Sequence, residues 1–155
     1  MTKTTDFQIS DYNSSYKEEL NSWQEVEKAL NQDGLSRFVG CEDVKLGDYV
    51  DYITTEMNIT SKIVLESGQI VGFVSYIIKN DSSAYVEIIG KNPTSETKGF
   101  AKKVLEELKN IMLPQGVKKI TFRVNKKNLI GLKSFSKFAQ ENKELTNENY
   151  VGFEF

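Results

Sequence analysis

Between residues 84 and 124 the hydrophobic period of the chain changes twice, and nothing else in the sequence restricts the fold so strongly. "AYVEIIG" at 84–90 is a β-branched and aromatic run. A loop containing Pro93 leads into a stretch whose apolar residues, Phe100, Val104, Leu105, Leu108 and Met112, recur at helical spacing as far as Pro114 and Gly116. "KKITFRV" at 118–124 then reads as a strand again. Strand, crossover helix and strand form a βαβ unit, so 84–90 and 118–124 are expected as parallel neighbours in a mixed sheet.

The flanking segments extend this pattern. Tyr16, Leu20, Trp23, Val26 and Leu30 predict a helix, and "SYKE" at 15–18 fits a capping box of Ser15 and Glu18. Leu46, Val50, Ile53 and Met57 predict a second, with Gly47 blurring its start. "SKIVLE" at 61–66 and "QIVGFVSYIIK" at 69–79 read as a hairpin turning at Ser67 and Gly68. A fourth helix is expected at 128–141 on Leu129, Leu132, Phe135 and Ala139. "NYVGFEF" forms a last strand, "DFQIS" near the N-terminus a first, and the apolar last strand is expected to be an edge able to pair with another copy.

Composition narrows the chemistry. The net charge is −2, giving no global field for nucleic acid or an anionic membrane. Histidine is absent and Cys41 is the only cysteine, which removes histidine-based triads, imidazole metal ligands and disulfides. No metal is expected. Neither a secretory leader nor a membrane span is legible in "MTKTTDFQIS" or in "IVGFVSYII" at 70–78, so a cytoplasmic protein of one domain, 1–155, is expected.

The segment "NPTSETKGFAKKVLEEL" at 92–108 carries the chemistry. The first turn of a helix has amides without an acceptor inside the helix, and the peptide dipoles make that end positive. Small residues at Gly99 and Ala101 leave such amides approachable, and Lys98, Lys102 and Lys103 add charge. The Lys and Ser/Thr pair of a P-loop and the three glycines of a dinucleotide fingerprint are both missing.

Pro93, Glu96, Gly99 and Ala101, followed by "KKVLEEL", resemble the signature of the GNAT superfamily of acyl-CoA-dependent N-acyltransferases, in which proline, Arg or Gln, Gly, and Gly or Ala open a helix after a strand. The order of elements resembles the family over nearly the whole chain, and Asn128, four residues after Val124, matches a further family position. Three residues depart from it. Glu96 replaces Arg or Gln, Lys91 replaces an aliphatic residue, and Phe135 stands where the family's proton-donating Tyr is usual.

The resemblance implies an α/β (α+β) fold with a largely antiparallel mixed sheet, one splayed parallel pair and about four helices. It implies acetyl-CoA as co-substrate, pantetheine pairing near Ile89 and Lys91, and a diphosphate on the amides of Glu96, Thr97, Lys98, Gly99, Phe100 and Ala101, with Lys102 and Asn128 beside it. Glu87 is the expected base, with Tyr85 on the same strand face, and the acceptor is a small-molecule or peptide amine. Nucleic acid and membrane are not expected as partners, and the chain is a monomer or homodimer. Each residue keeps a plainer reading: solvated lysines around an ordinary helix start, Glu87 on a solvent face or paired with Arg123, Asn128 as a helix cap, Phe135 in a core stripe and Cys41 as an inert thiol. The alternative function is a non-catalytic CoA-binding sensor or interaction module.

Overall fold

The computed structural model describes residues 7–30 and 44–155, so the expectations for Cys41 and the loop at 31–43 lie outside the described residues. Its order is β1 (Phe7–Asp11), α1 (Lys17–Leu30), α2 (Leu46–Thr55), β2 (Thr60–Glu66), β3 (Gln69–Ile78), β4 (Ser83–Lys91), α3 (Phe100–Met112), β5 (Lys119–Asn125), α4 (Leu129–Ser136), β6 (Gln140–Glu141) and β7 (Tyr150–Glu154). Seven strands form a sheet in the order β1-β2-β3-β4-β5-β7-β6. The pair β4–β5 is parallel, while β1–β2, β5–β7 and β6–β7 are antiparallel. This is the mixed, mostly antiparallel sheet with four helices that the sequence implied. The chain divides into two compact units, Met1–Ser75 with Ile89–Thr97, and Tyr76–Ile88 with Lys98–Phe155.

In the first unit α1 and α2 pack so closely that α1 supplies the cap of α2. Lys45, before the helix, makes no side-chain capping bond. Instead Gln24 Oε1 accepts from the Leu46 amide at 2.7 Å and Asn21 Oδ1 from the Asp48 amide at 3.2 Å. These bonds serve N-terminal amides that have no acceptor within their own helix. Gly47 permits the approach, because a Cβ there would lie 2.0 Å from the Lys17 carbonyl oxygen. The glycine, inside α2, therefore marks its contact with α1.

The capping box expected at Ser15 and Glu18 does not form. Asn13 takes the role, its side chain accepting from the Ser15 amide at 2.9 Å ahead of a short 3-10 turn. Leu30 and Met57 complete their periodic stripes on paper but are exposed, Met57 because α2 already ends at Thr55. Leu20, Trp23, Leu46, Val50, Ile53, Ile63 and Phe73 form the buried core. Ser67 and Gly68 turn the hairpin with φ of 52° and 80°, the positive pair that the favoured two-residue turn demands.

In the second unit all five residues of the α3 stripe are buried, as their spacing predicts. The helix expected at 128–141 stops at Ser136. Ala139 lies beyond it, its amide donating to the Phe135 carbonyl, and the chain leaves as β6.

The last strand is not an edge. β6 pairs outside β7, and the loop after it covers the remaining rungs: Asn142 N–H donates to Gly152 O, Asn147 N–H to Tyr150 O, and the amides of Gly152 and Tyr150 donate to Thr146 Oγ1 and Asn147 Oδ1. Polar backbone that an apolar strand leaves open has been satisfied by its own chain.

Candidate functional site

The loop before α3 is fixed by the side chains that its composition suggested were merely small and polar. Asn92 donates its amide to Val71 O at 2.8 Å and its side-chain NH2 to Ile70 O at 3.1 Å, holding the end of β4 to β3. Its Oδ1 accepts from the amide and hydroxyl of Thr94 at 3.1 and 3.0 Å. Farther on, the Thr97 hydroxyl donates to the Glu66 carboxylate at 2.7 Å and lies 2.9 Å from Ser95 Oγ. A cleft of about 620 Å³ opens here, lined by Glu66, Gln69, Asn92, Ser95, Glu96 and Thr97 among others. Glu96 is exposed.

One amide of the expected cradle is already spent, since Thr97 N–H donates to Ser95 Oγ at 3.2 Å. The amides that follow are differently placed. Gly99 precedes α3 in the left-handed region, φ 64° and ψ 31°, with no side-chain cap and no acidic residue in the first turn. The Lys103 amide reaches the Gly99 carbonyl at 3.0 Å, so the amides of Phe100, Ala101 and Lys102 precede the first helical bond. A Cβ on Gly99 would meet nothing within 4 Å. Glycine is needed there for its positive φ, where other residues are strained, and the space above it is open. Lys98 and Lys102 are exposed, Ala101 is half-buried and Phe100 is buried in the core.

The parallel ladder runs from Ser83↔Lys119 to Val86↔Phe122. Both strands continue past it, β4 through Glu87 and Ile88 and β5 through Arg123 to Asn125. Tyr85 and Glu87 share one face by alternation. The Lys79 ammonium lies 5.3 Å from the centre of the half-buried Tyr85 ring. Burial, and after it the Glu87 charge, push the Tyr85 phenol above its ordinary range, against an opposing pull from Arg123. Tyr85 is therefore a neutral hydrogen-bonding group at neutral pH, beside an exposed carboxylate. Ile89 and Lys91 continue β4 in the first unit, half-buried and exposed.

Asn128 is a cap, its Oδ1 accepting from the Gly131 amide at 2.9 Å, which leaves its NH2 for other partners. Phe135 packs with Phe122 at 4.7 Å, Phe138 at 5.8 Å and Phe153 at 6.1 Å between ring centres, and is 9% exposed. The sequence-level residues thus form three groups: Tyr85 with Glu87, the run Lys98–Lys102 at the start of α3, and Ile89, Lys91, Glu96 and Thr97 in the other unit. Glu66 escaped the sequence reading because its bond to Thr97 joins side chains 31 residues apart, and Asn92 and Ser95 because single polar bonds within a loop leave no periodic trace.

The sequence model of the acetyltransferase (GNAT) family matches residues 23–138, most of the chain. The protein belongs to the GNAT family. Membership establishes it as an acetyltransferase-type domain supporting acyl transfer. Among solved structures, a domain from Methanocaldococcus jannaschii is similar to this GNAT protein with a TM-score of 0.72 at 16% identity, covering 98% of this chain and 99% of that one. The PaiA N-acetyltransferase of Thermoplasma acidophilum, solved in complex with coenzyme A, gives 0.67 at 15%, covering 96% and 97%. The Salmonella typhimurium acetyltransferase that modifies the N-terminal serine of ribosomal protein L7/L12 gives 0.72 at 10%, covering 98% and 95%. At these identities the likeness shows a shared fold. No curated protein matches the sequence. Among the described residues no helix is long and apolar enough to cross a membrane, and no group of three or more carboxylates and thiols is placed to hold a metal ion.

Proposed function

We propose that this GNAT protein is an N-acetyltransferase of one functional domain, 1–155, in the cytoplasm, moving the acetyl group of acetyl-CoA to a primary amine by direct attack in a ternary complex. The observation that carries the reading is the start of α3, where Gly99 is left-handed under open space and the next three amides precede the first helical bond. Such an end takes a diphosphate without a metal. The fit is favoured by the absence of acidic residues from the first turn and by the exposed Lys98 and Lys102. The coenzyme A bound to the Thermoplasma neighbour is consistent with it.

In this reading the thioester is the activated donor that acetyl-CoA supplies when bound. The chain's part is to hold and to move protons. Amides at 98–101 and the Asn128 NH2 bind the phosphates, Glu96 contributes only backbone, and the backbone of Ile89 and Lys91 aligns the pantetheine arm. Holding amine and thioester together supplies much of the acceleration. The amine is mostly protonated at neutral pH, and Glu87 accepts its proton directly or through water. Neutral Tyr85 donates a hydrogen bond in the same place. The departing thiolate takes its proton from water, because Phe135 offers none; a thiol with a reference pKa of roughly 8.5 leaves tolerably unaided.

Acetyl-CoA titrated calorimetrically to millimolar concentration tests the binding, and its failure to bind ends the reading. Glu87→Gln then tests the base: thiol release at neutral pH is expected to fall about 10²-fold with acetyl-CoA affinity unchanged. Unaltered kinetics remove Glu87 from the mechanism. A second reading, a CoA-binding sensor without turnover, is favoured by Phe135 and its aromatic packing, and tight CoA binding with no thioester consumed across a broad amine panel selects it.

A further inference from the structure

The face of the second unit that carries Tyr85 and Glu87 also carries a fixed cation. Tyr85 pairs with Thr121 across the parallel ladder, and Arg123, two residues on, points to the same side. On β7, Tyr150 lies opposite Asn125 and completes that face. Arg123 is exposed but anchored, its Nε donating to the Leu145 carbonyl at 2.9 Å. Among the described residues it makes no ion pair, and the Leu145 bond uses only its Nε, which leaves the two terminal NH2 groups for another partner. Its charge is close enough to oppose the rise of the Tyr85 pKa. Glu87 and Arg123 each lie one residue past the last rung of the parallel ladder, Val86↔Phe122, on the two strands of that pair.

A guanidinium held by one nitrogen presents the other two for bidentate pairing with a carboxylate. We propose that Arg123 is a specificity-determining residue that holds the carboxylate of a free amino acid acceptor while its amine lies at Glu87. This rests on the N-acetyltransferase reading and names the acceptor class that reading leaves open. The transfer balances: the ammonium gives one proton to Glu87 or water, the free amine nitrogen bonds to the acetyl carbonyl carbon, the carbon–sulfur bond breaks, the nitrogen sheds its second proton to water, and the thiolate takes a proton from water and leaves as CoA. The Leu145 bond holds the guanidinium by its Nε, which distinguishes Arg123 from a freely rotating surface arginine.

The test compares the standard L-amino acids with their methyl esters at fixed acetyl-CoA, following thiol release by the full chain. Wild type is expected to favour at least one amino acid over its ester by about 100-fold in kcat/KM. Arg123→Gln should abolish that preference through KM, leave ester turnover within about twofold, and melt as wild type does; Arg123→Lys should restore part of it. Esters as good as acids, or equal losses for both, overturn the inference and leave the enzyme reading standing. Should no amine turn over, that reading falls, and the Arg123 Nε–H resonance decides: movement with amino acids and none with their esters supports the carboxylate site, and no movement with either overturns it.

Discussion

The Thr97 hydroxyl donates to the Glu66 carboxylate at 2.7 Å, tying the loop before α3 to the end of β2. The bond joins side chains 31 residues apart within the first unit. Glu66→Ala is expected to raise the KM for acetyl-CoA about tenfold with a smaller change in kcat, a hydrogen bond to a charged group being worth roughly 1.5–3 kcal/mol. Thr97→Val should do the same, and the double variant little more than either. Additive losses in a double-mutant cycle would show that the two residues act separately.

Phe135 lies against Phe122, Phe138 and Phe153 in the position where the family resemblance expects an acid. Phe135→Tyr should raise kcat by about 10²-fold if thiolate protonation limits the rate. Its hydroxyl, placed among rings, should also cost about 1–3 kcal/mol in urea unfolding. Unchanged turnover in a folded variant places the slow step elsewhere.

Gly47 lies inside α2, yet alanine should harm it. Alanine in a helix interior gains roughly 1 kcal/mol over glycine. Here the added methyl would sit 2.0 Å from the Lys17 carbonyl oxygen and 2.7 Å from Asn21 Oδ1, forcing α1 and α2 apart and weakening the caps they share. A net loss of about 1–3 kcal/mol is expected, read by chemical denaturation. A gain would mean that the two helices separate without cost.

Tyr12 is buried, and its hydroxyl donates to Asp51 at 3.0 Å. Burial first, then the Asp51 bond and the charges of Asp51 and Asp48, push its pKa well above the ordinary tyrosine value of 10.0. The folded state thus holds the neutral phenol more firmly than the unfolded chain does. The stability from this group is complete below pH 10 and is lost as pH rises toward the folded value. Tyr12→Phe should cost about 1 kcal/mol at pH 7 and show a shallower decline than wild type above pH 10. Parallel pH profiles of the two proteins would contradict the assignment.

Legibility followed the range of the interactions. The α3 stripe from Phe100 to Met112 was readable because all five residues face one core, and the parallel pair because a crossover helix between two strands has one economical closure. The α4 stripe misled. Its apolar residues serve different ends, with Phe135 in the aromatic cluster and Leu129 and Ile130 73% exposed. Gly99 was placed correctly at the helix start, for a reason of conformation and not of crowding. The cap of α2 by Gln24, the staple of Glu66 on Thr97 and the anchoring of Arg123 by Leu145 all join distant residues through single polar bonds, which neither period nor composition registers.

The hydrogen bonds from the 142–147 loop onto Tyr150 and Gly152 reach beyond local order. A chain that has used its C-terminal ladder on itself offers a newcomer no backbone to grip along those residues. Self-association, where it occurs, has to use another surface, the edge strands β1 and β6 included, and concentrating the protein should not seed growth from β7.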